Sequence, residues 1–427
     1  MLNCAPSKSA GSSMSSNRHS APSETNSKAN SKKKVDISLF EFVALMATMT
    51  SLVALSIDSV LPALSQIGAY LKVTDPSQTH LIVSLFFVGM AFGQLYYGPL
   101  SDDRGRRYVI ISGLIVFAIG SLICINAESL EVMLIGRVIQ AFGVSGPRIA
   151  TLAVIRDKYE GEAMARVMSF IMMVFILVPM LAPILGQTIL FWFSWQHIFL
   201  SFLVYGTLIG LWFFARQPET LAKEKRLPFS WSQLWISSKF ILSHKLVMFY
   251  TLSSGTIFGA FLAYISSSQT LFQDIYNTGE LFPMYFAMLA LSIGLASFIN
   301  GNLVMRLGMR KLCNWAMLGW LIFSSVLTAL CFAYDGVPPF WQFVSVLFCA
   351  FFCIGILFGN VKAMAMQPLG DMAGLGAAII GSLSSIISVP AAIFVSSFID
   401  ASITPVALGF LGFGSVSFVF YWNANKP

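Results

Sequence analysis

Charge is what this chain is short of. Asp, Glu, Lys and Arg make up 11% of its 427 residues, while 56% are hydrophobic. Water-soluble domains carry about 25% charged residues, so the composition excludes a soluble enzyme or a soluble nucleic-acid-binding protein of this size. The net charge of +7 then reads as the positive bias of cytoplasmic membrane loops and not as a footprint for nucleic acid. Histidine is scarce as well. His19, His80, His197 and His244 lie in the amino-terminal tail or near the ends of apolar runs, and none forms a metal pair or a nucleophile–base group. No Gly-x-x-x-x-Gly-Lys-Ser/Thr loop occurs, which argues against ATP-driven work by this chain alone. Neither an enzyme activity, a cofactor nor a metal is expected. Of the cysteines, Cys124, Cys313, Cys331, Cys349 and Cys353 sit in or beside apolar runs. They read as small core hydrophobes without a disulfide framework. Cys4 has no apolar signal region before it, which argues against a lipoprotein.

What is present is a series of long apolar runs. Residues 1–35 are rich in Ser, Asn and Lys and hold almost no large apolar side chain. Such a segment cannot bury a core and is expected to be a disordered cytoplasmic tail. Twelve runs follow, at 38–65, 78–98, 108–127, 130–154, 165–189, 195–215, 246–269, 281–304, 310–334, 339–363, 373–398 and 404–422. Each is about long enough to cross a bilayer as a helix. With the amino terminus inside and the loops alternating, Lys72 is the sole Lys or Arg in an outer loop, whereas Asp75, Glu128, Asp274, Glu280, Asp335 and Asp400 fall outside. A miscount by one helix would scramble that asymmetry. The sequence therefore predicts an all-α, polytopic membrane protein of twelve transmembrane helices, with both termini in the cytoplasm.

The longest inner loop splits the runs six and six. Its later part, SWSQLWISSKFILSHK, has the pattern of an amphipathic helix lying on the membrane surface. The expected organisation is a bundle over 36–217, a linker over 218–245 and a second bundle over 246–424. Between the second and third runs stands Gly98-Pro-Leu-Ser-Asp-Asp-Arg-Gly-Arg-Arg107, expected as a tight charged turn. Gly98-x-Leu100 with Gly105-x-Arg107 recurs at the same spacing as Gly301-x-Leu303 with Gly308-x-Arg310. Both copies fall between the second and third helices of their half, as a parallel repeat would place them.

A few polar residues lie at membrane depth. Asp58 is about two-thirds of the way along the first run. An ionisable group there is costly unless it faces a cavity or a partner, and a carboxyl so placed can load and release a proton. The competing reading sets it at the outer headgroup boundary or makes it a structural hydrogen-bond acceptor. Arg137, in the fourth run, needs an acceptor; Asp58 is one candidate, snorkelling is a second and a structural pin between helices a third. Arg148 could bind an anionic substrate group, snorkel to the inner surface or pair with a neighbouring helix. Gln94, Asn360 and Gln367 either line a pathway or bond helix to helix, and Gln140 lies three residues after Arg137. Pro179, Pro183 and Gly186 would bend and thin the fifth run, and Pro390 sits comparably in the eleventh.

The 98–107 segment resembles the loop signature of the major facilitator superfamily, Gly-x-Leu-x-Asp-(Arg/Lys)-x-Gly-Arg-(Arg/Lys). Ser56-Ile-Asp-Ser-Val-Leu-Pro-Ala-Leu64 is similar to the first helix of the bicyclomycin-resistance (Bcr/CflA) drug:proton antiporters. Leu134-Ile-Gly-Arg-Val-Ile-Gln-Ala-Phe-Gly143 resembles the fourth-helix motif, whose Arg and Gln fall on Arg137 and Gln140. Trp195-Gln-His-Ile-Phe, Pro218-Glu-Thr and the stretch from Gln367 to Gly381 resemble further borders of that subfamily. The likeness spans nearly everything after residue 36. It departs in three places: Asp103 replaces the usual Arg or Lys, Ala182-Pro-Ile-Leu-Gly-Gln187 replaces Gly-Pro-x-x-Gly-Gly, and Met305 stands where the second loop copy would hold an acid.

The resemblance implies two six-helix bundles rocking about a midplane site, with protons and a small molecule as partners in a monomer embedded in the bacterial inner membrane. Asp58, with Arg137 beside it, would exchange a proton for a cationic or neutral substrate. Gln94, Gln140, Arg148 and Asn360 would line the cavity. The segment holding Gly98, Asp102, Arg104, Gly105, Arg106 and Arg107 would gate the inner side through ion pairs across the bundles. Drug efflux is the first reading. The alternative is the same fold moving a physiological metabolite or a metal-chelating small molecule, in either direction.

Overall fold

The computed structural model describes residues 37–426 except 160, 227 and 400; the 1–35 tail lies outside the described residues. The described chain is helical throughout, with no strand among these residues. In chain order the long helices are α1 (Leu39–Tyr70), α2 (Leu81–Arg104), α3 (Arg106–Ile125), α4 (Leu130–Lys158), α5 (Gly161–Trp192) and α6 (Gln196–Arg216), then α7 (Lys245–Gln269), α8 (Phe282–Leu307), α9 (Met309–Ala333), α10 (Phe340–Met366), α11 (Ala373–Ser396) and α12 (Thr404–Asn425). Eleven of them are long and apolar enough to cross a membrane among the described residues, and α5, at 32 residues, is the twelfth long helix. A short helix, Trp231–Ser243, stands between α6 and α7 and leaves Trp235, Ile236, Phe240 and Leu242 exposed.

Two features of α1 and α2 differ from the expectation. The first helix is not continuous: Pro62 lacks a backbone donor, α-helix ends at Asp58, and a tighter turn, Leu61–Ala63, leads into Leu64–Tyr70. The charged segment is not a turn of ten residues. α2 runs on through Pro99 to Arg104, α3 begins at Arg106, and the reversal is made by Gly105 alone, at φ 100° and ψ 162°. In the second half Gly308, at φ 78° and ψ 152°, makes the same reversal between α8 and α9. Side-chain-bearing residues rarely adopt that backbone, which is why glycine recurs at both places.

The first bundle is built around α4, which packs most extensively on α3 and α2. Small residues let the backbones meet. A Cβ at Gly89 would run into the carbonyl of Val138, one at Gly120 into the backbone nitrogen of Gln140, and one at Gly143 into the backbone nitrogen of Phe117. We expect Gly143→Val to cost about 1–3 kcal/mol, read as a lower unfolding midpoint of the purified protein. Gly412→Val, where a side chain meets nothing within 4 Å, is expected to leave the midpoint unchanged.

In the second bundle α7 packs on α11 and α12, and α10 on α8 and α9. The bundles join along two seams, α2 with α11 and α5 with α8. The seams exchange under the six-helix repeat, since α8 is the counterpart of α2 and α11 that of α5. Hydrogen bonds cross between the bundles at mid-depth, where Ser382 donates to the Ala91 carbonyl (2.8 Å), and towards the end away from the charged segment. There Gln269 Nε2 donates to Ser65 Oγ (2.8 Å) and His80 Nε2 meets Thr270 Oγ1 (3.2 Å). Cys124, Cys313, Cys331, Cys349 and Cys353 are free thiols, four of them buried.

Candidate functional site

The sequence-predicted residues separate into three places. The first is the charged end of α2 and α3. Arg106, on the first turn of α3, is buried against α4 and the last turn of α2. Its Nε donates to Asp157 Oδ2 at 3.0 Å, and its Nη1 donates to Asp102 Oδ1 at 2.5 Å and to Ser101 Oγ at 3.0 Å. Glu219, just beyond α6, accepts from the backbone N–H groups of Arg106 (3.0 Å) and Arg107 (3.1 Å). It thereby caps a helix start where negative charge is favoured. Arg107 lies over the Phe214 ring at 4.1 Å and donates to that residue's carbonyl. Arg104 meets its neighbour Asp103 at 3.4 Å and is largely exposed.

This cluster corrects the expected ion pairs between the bundles. The partner of Asp102 is Arg106, one helical turn on, and every partner named here lies on α2, α3, α4 or the exit of α6. The physical reason is the one-residue reversal at Gly105. It starts α3 so close to α4 that Arg106 is carried onto Asp157. Asp157 and Glu219 were not singled out in the sequence; the Pro218-Glu-Thr border was visible, its capping of α3 was not.

The second place is the break in α1. Asp58 is buried there, with no hydrogen bond or ion pair among the described residues. Across the interface, within electrostatic reach, stands Tyr264 of α7. Its hydroxyl is buried without a partner, and its ring is stacked on Phe286 at 5.9 Å and edge-on to Phe351 at 4.7 Å. Gly186 of α5 abuts the Ser59 carbonyl, so closely that a Cβ would overlap it. α5 stays helical through Pro179 and Pro183.

Arg137 lies beside this break but does not pair with Asp58. It is fully buried, which excludes snorkelling. Nε donates to the Ile82 carbonyl (3.0 Å), and Nη1 to the Ser56 carbonyl (3.0 Å) and to Gln140 Oε1 (2.6 Å). The guanidinium sits over Phe86 at 4.4 Å. Gln140 passes its own amide N–H to Ser121 Oγ at 2.8 Å. Arg137 and Gln140 thus tie α4 to α1, α2 and α3, and the Gln140 side chain is spent on that network.

The third place lies where mid α2 meets the second bundle. Arg148 of α4 is half-buried and donates to Met90 Sδ at 2.9 Å. Lys362 of α10 comes to the same place from the second bundle, and no sequence motif marks it. It is half-buried, with Nζ 5.8 Å from the Phe258 ring centre. Phe258 in turn meets Phe87 of α2 at 5.2 Å. Gln94 is buried against Gly381 of α11. Asn360 exchanges amide hydrogen bonds with Asn300 of α8, at 2.7 and 3.3 Å, so it joins helices within the second bundle. No cluster of His, Cys, Asp or Glu able to hold a metal occurs among the described residues.

Two six-helix bundles with ionisable side chains on their facing surfaces define a secondary transporter, not an enzyme. Residues 45–392 match the Major Facilitator Superfamily, and the chain belongs to that family. It is 29% identical over 356 residues to the bicyclomycin resistance protein homolog of Haemophilus influenzae, covering 81% of this chain and 86% of that one. It is 28% identical over 331 residues to the multidrug resistance protein MdtL of Salmonella typhi, covering 76% and 80%. Among solved structures it resembles a D-xylose–proton symporter, with a TM-score of 0.72 at 13% identity over 90% of this chain and 98% of the other.

Proposed function

We propose that the protein is a proton-coupled exporter of small amphiphilic molecules, drugs among them, working by alternating access. The observation that carries this reading is Asp58. A carboxyl at membrane depth costs about 3 kcal/mol or more unless it faces a partner or a path. This one is buried at a helix break, without a hydrogen bond or ion pair among the described residues and within electrostatic reach of Tyr264 in the second bundle. A group with no structural hydrogen bond to lose is free to take up a proton in one conformation and release it in the other. The relatives named for bicyclomycin and multidrug resistance support drugs as cargo.

The placement of Lys and Arg supports both termini in the cytoplasm of a bacterial inner membrane, with the protein acting as a monomer. In that orientation residues 218–245 form the inner linker between bundles 36–217 and 246–424, and the exposed face of Trp231–Ser243 rests on the membrane surface. Asp102, Arg106 and Arg107 latch the α2–α3 reversal to its own bundle at the inner end. Gln94 and Arg148 line the path. Pro179 and Pro183 withdraw two backbone donors from α5, which lets that helix flex on the α8 seam while Gly186 keeps it against α1.

The test has two stages. Susceptibility profiling of a drug-sensitive bacterial host expressing the protein identifies the compound against which it protects most. Flux of that compound in proteoliposomes is then measured with and without an imposed pH gradient. The expected result is flux that follows the gradient and collapses with a protonophore. Flux indifferent to the gradient would refute proton coupling.

A further inference from the structure

Arg148 and Lys362 are two cations approaching each other from opposite bundles. Both abut the same inter-bundle contact, Arg148 on Met90 and Lys362 over Phe258, whose ring meets Phe87 one helical turn before Met90, and no described carboxylate forms an ion pair with either of them. The position of Arg148 on its helix does not explain it as a snorkelling group. Arg148 stands ten residues before the end of α4, about 15 Å along the axis. Lys362 is closer to the end of its helix. Helical side chains lean towards the amino-terminal end of their helix, which for both α4 and α10 points away from the charged end and into the protein. The contacts agree: Arg148 reaches Met90, in mid α2, and the Lys362 ammonium lies over Phe258, in mid α7.

Neither cation is satisfied by what surrounds it. A thioether is a weak acceptor, and it takes one of the five guanidinium donors. The rest of the fork makes no hydrogen bond among the described residues. Lys362 has the face of one aromatic ring. Like charges held together at membrane depth persist where an anion or a water-filled path compensates them. Beside them lies an apolar wall that also crosses the seam, Phe87 on Phe258 and Phe258 on Phe358 at 6.1 Å.

We propose that Arg148 and Lys362 bind the anionic group of the transported molecule, a carboxylate, sulfonate or phosphate, while Phe87 and Phe258 hold its apolar body. This rests on the transporter reading above and narrows its cargo to amphiphilic anions. Arg148 supplies a planar fork that matches two anionic oxygens, and Lys362 supplies a mobile point charge from the other bundle. Because the cations belong to different bundles, a bound anion removes the repulsion between them and favours the arrangement in which the bundles close on it. Asp58 lies apart from this pair, so proton and cargo are coupled through the bundle rearrangement.

Three probes with one ring system test the assignment: 2-naphthoate, its uncharged amide and the 2-naphthylmethylammonium cation, titrated against the full-length protein in nanodiscs. Naphthoate is expected to bind about tenfold or more tightly than the amide, and the ammonium weakest of all. Arg148→Gln and Lys362→Gln are each expected to weaken naphthoate about tenfold and to leave the amide unchanged, which also reports that the variants are folded. Lys362→Arg is expected to retain the preference. Equal affinity for the three probes, failure of naphthoate to bind, or an anion preference that survives in both Gln variants would overturn the proposal. Gradient-driven flux of the resistance compound is followed in parallel. Flux in the native protein and in Lys362→Gln alike, with no anion preference in the native protein, removes the anion site and leaves the transporter standing. An anion preference without flux does the reverse.

Discussion

Asp58→Asn is expected to abolish accumulation of the exported compound against its gradient, by about tenfold or more, while exchange of that compound between two equal pools continues. Asn keeps the size and shape of Asp and cannot carry the proton. The substitution should not damage the fold, because Asp58 makes no hydrogen bond or ion pair among the described residues. Removing a buried carboxyl that has no partner also lifts a desolvation cost, so the unfolding midpoint is expected to stay level or to rise. The combination is diagnostic: a protein as stable as the native one, still able to exchange cargo, and unable to use a pH gradient. Tyr264→Phe is the companion variant. It removes a buried hydroxyl within electrostatic reach of Asp58 and is expected to shift the pH at which gradient-driven flux is half-maximal without removing the flux. Undiminished accumulation in Asp58→Asn would exclude this carboxyl as the coupling group.

The helices were legible because each is a long apolar run. Their limits lie within a few residues of the expected ones, α6 at Gln196–Arg216 for 195–215 and α10 at Phe340–Met366 for 339–363. The reversal at Gly105 was half legible. Glycine at matched positions of both halves marked the place, but the charges around it suggested a longer turn, because a helix end and a loop carry similar polar residues. What could not be read was which charges would meet. Arg106 finds Asp157 51 residues away and Glu219 113 residues away, distances over which no local pattern operates. Arg148 and Lys362 each look like a lone cation on its own helix, and the packing of one bundle on the other makes them a pair. The partners of Arg137 include two backbone carbonyls, groups that every residue possesses and no sequence motif announces. Asp58, snorkelling and a structural pin between helices were all open to it, and the fold gave it inter-helix bonds, two of them to carbonyls.

That arrangement predicts the second large effect. Arg137→Met and Arg137→Ala are expected to lower stability by about 3 kcal/mol, seen as loss of folded protein in detergent and a depressed unfolding midpoint. Three acceptors lose their donor: the carbonyls of Ser56 and Ile82, and Gln140 Oε1. A buried acceptor left short costs about 1–3 kcal/mol, at the lower end for carbonyls that keep their helical bonds. The contact with Phe86 adds about 1 kcal/mol or more in a dry site. Against this stands the desolvation of a guanidinium that has no carboxylate partner and leaves Nη2 unbonded, a cost the substitutions remove. The losses outweigh the relief because they fall on three helices at once, and α1 is among them, held at the residue two before Asp58. Met, which fills most of the volume, should cost less than Ala, which adds a cavity. Lys keeps the charge but replaces the fork by one point donor, so it should fare no better than Met. If instead Arg137→Met folds with native stability and loses gradient-driven flux, Arg137 is not the anchor of this corner but a participant in coupling beside Asp58. The pair of readouts, midpoint and flux, separates those two cases in a single variant.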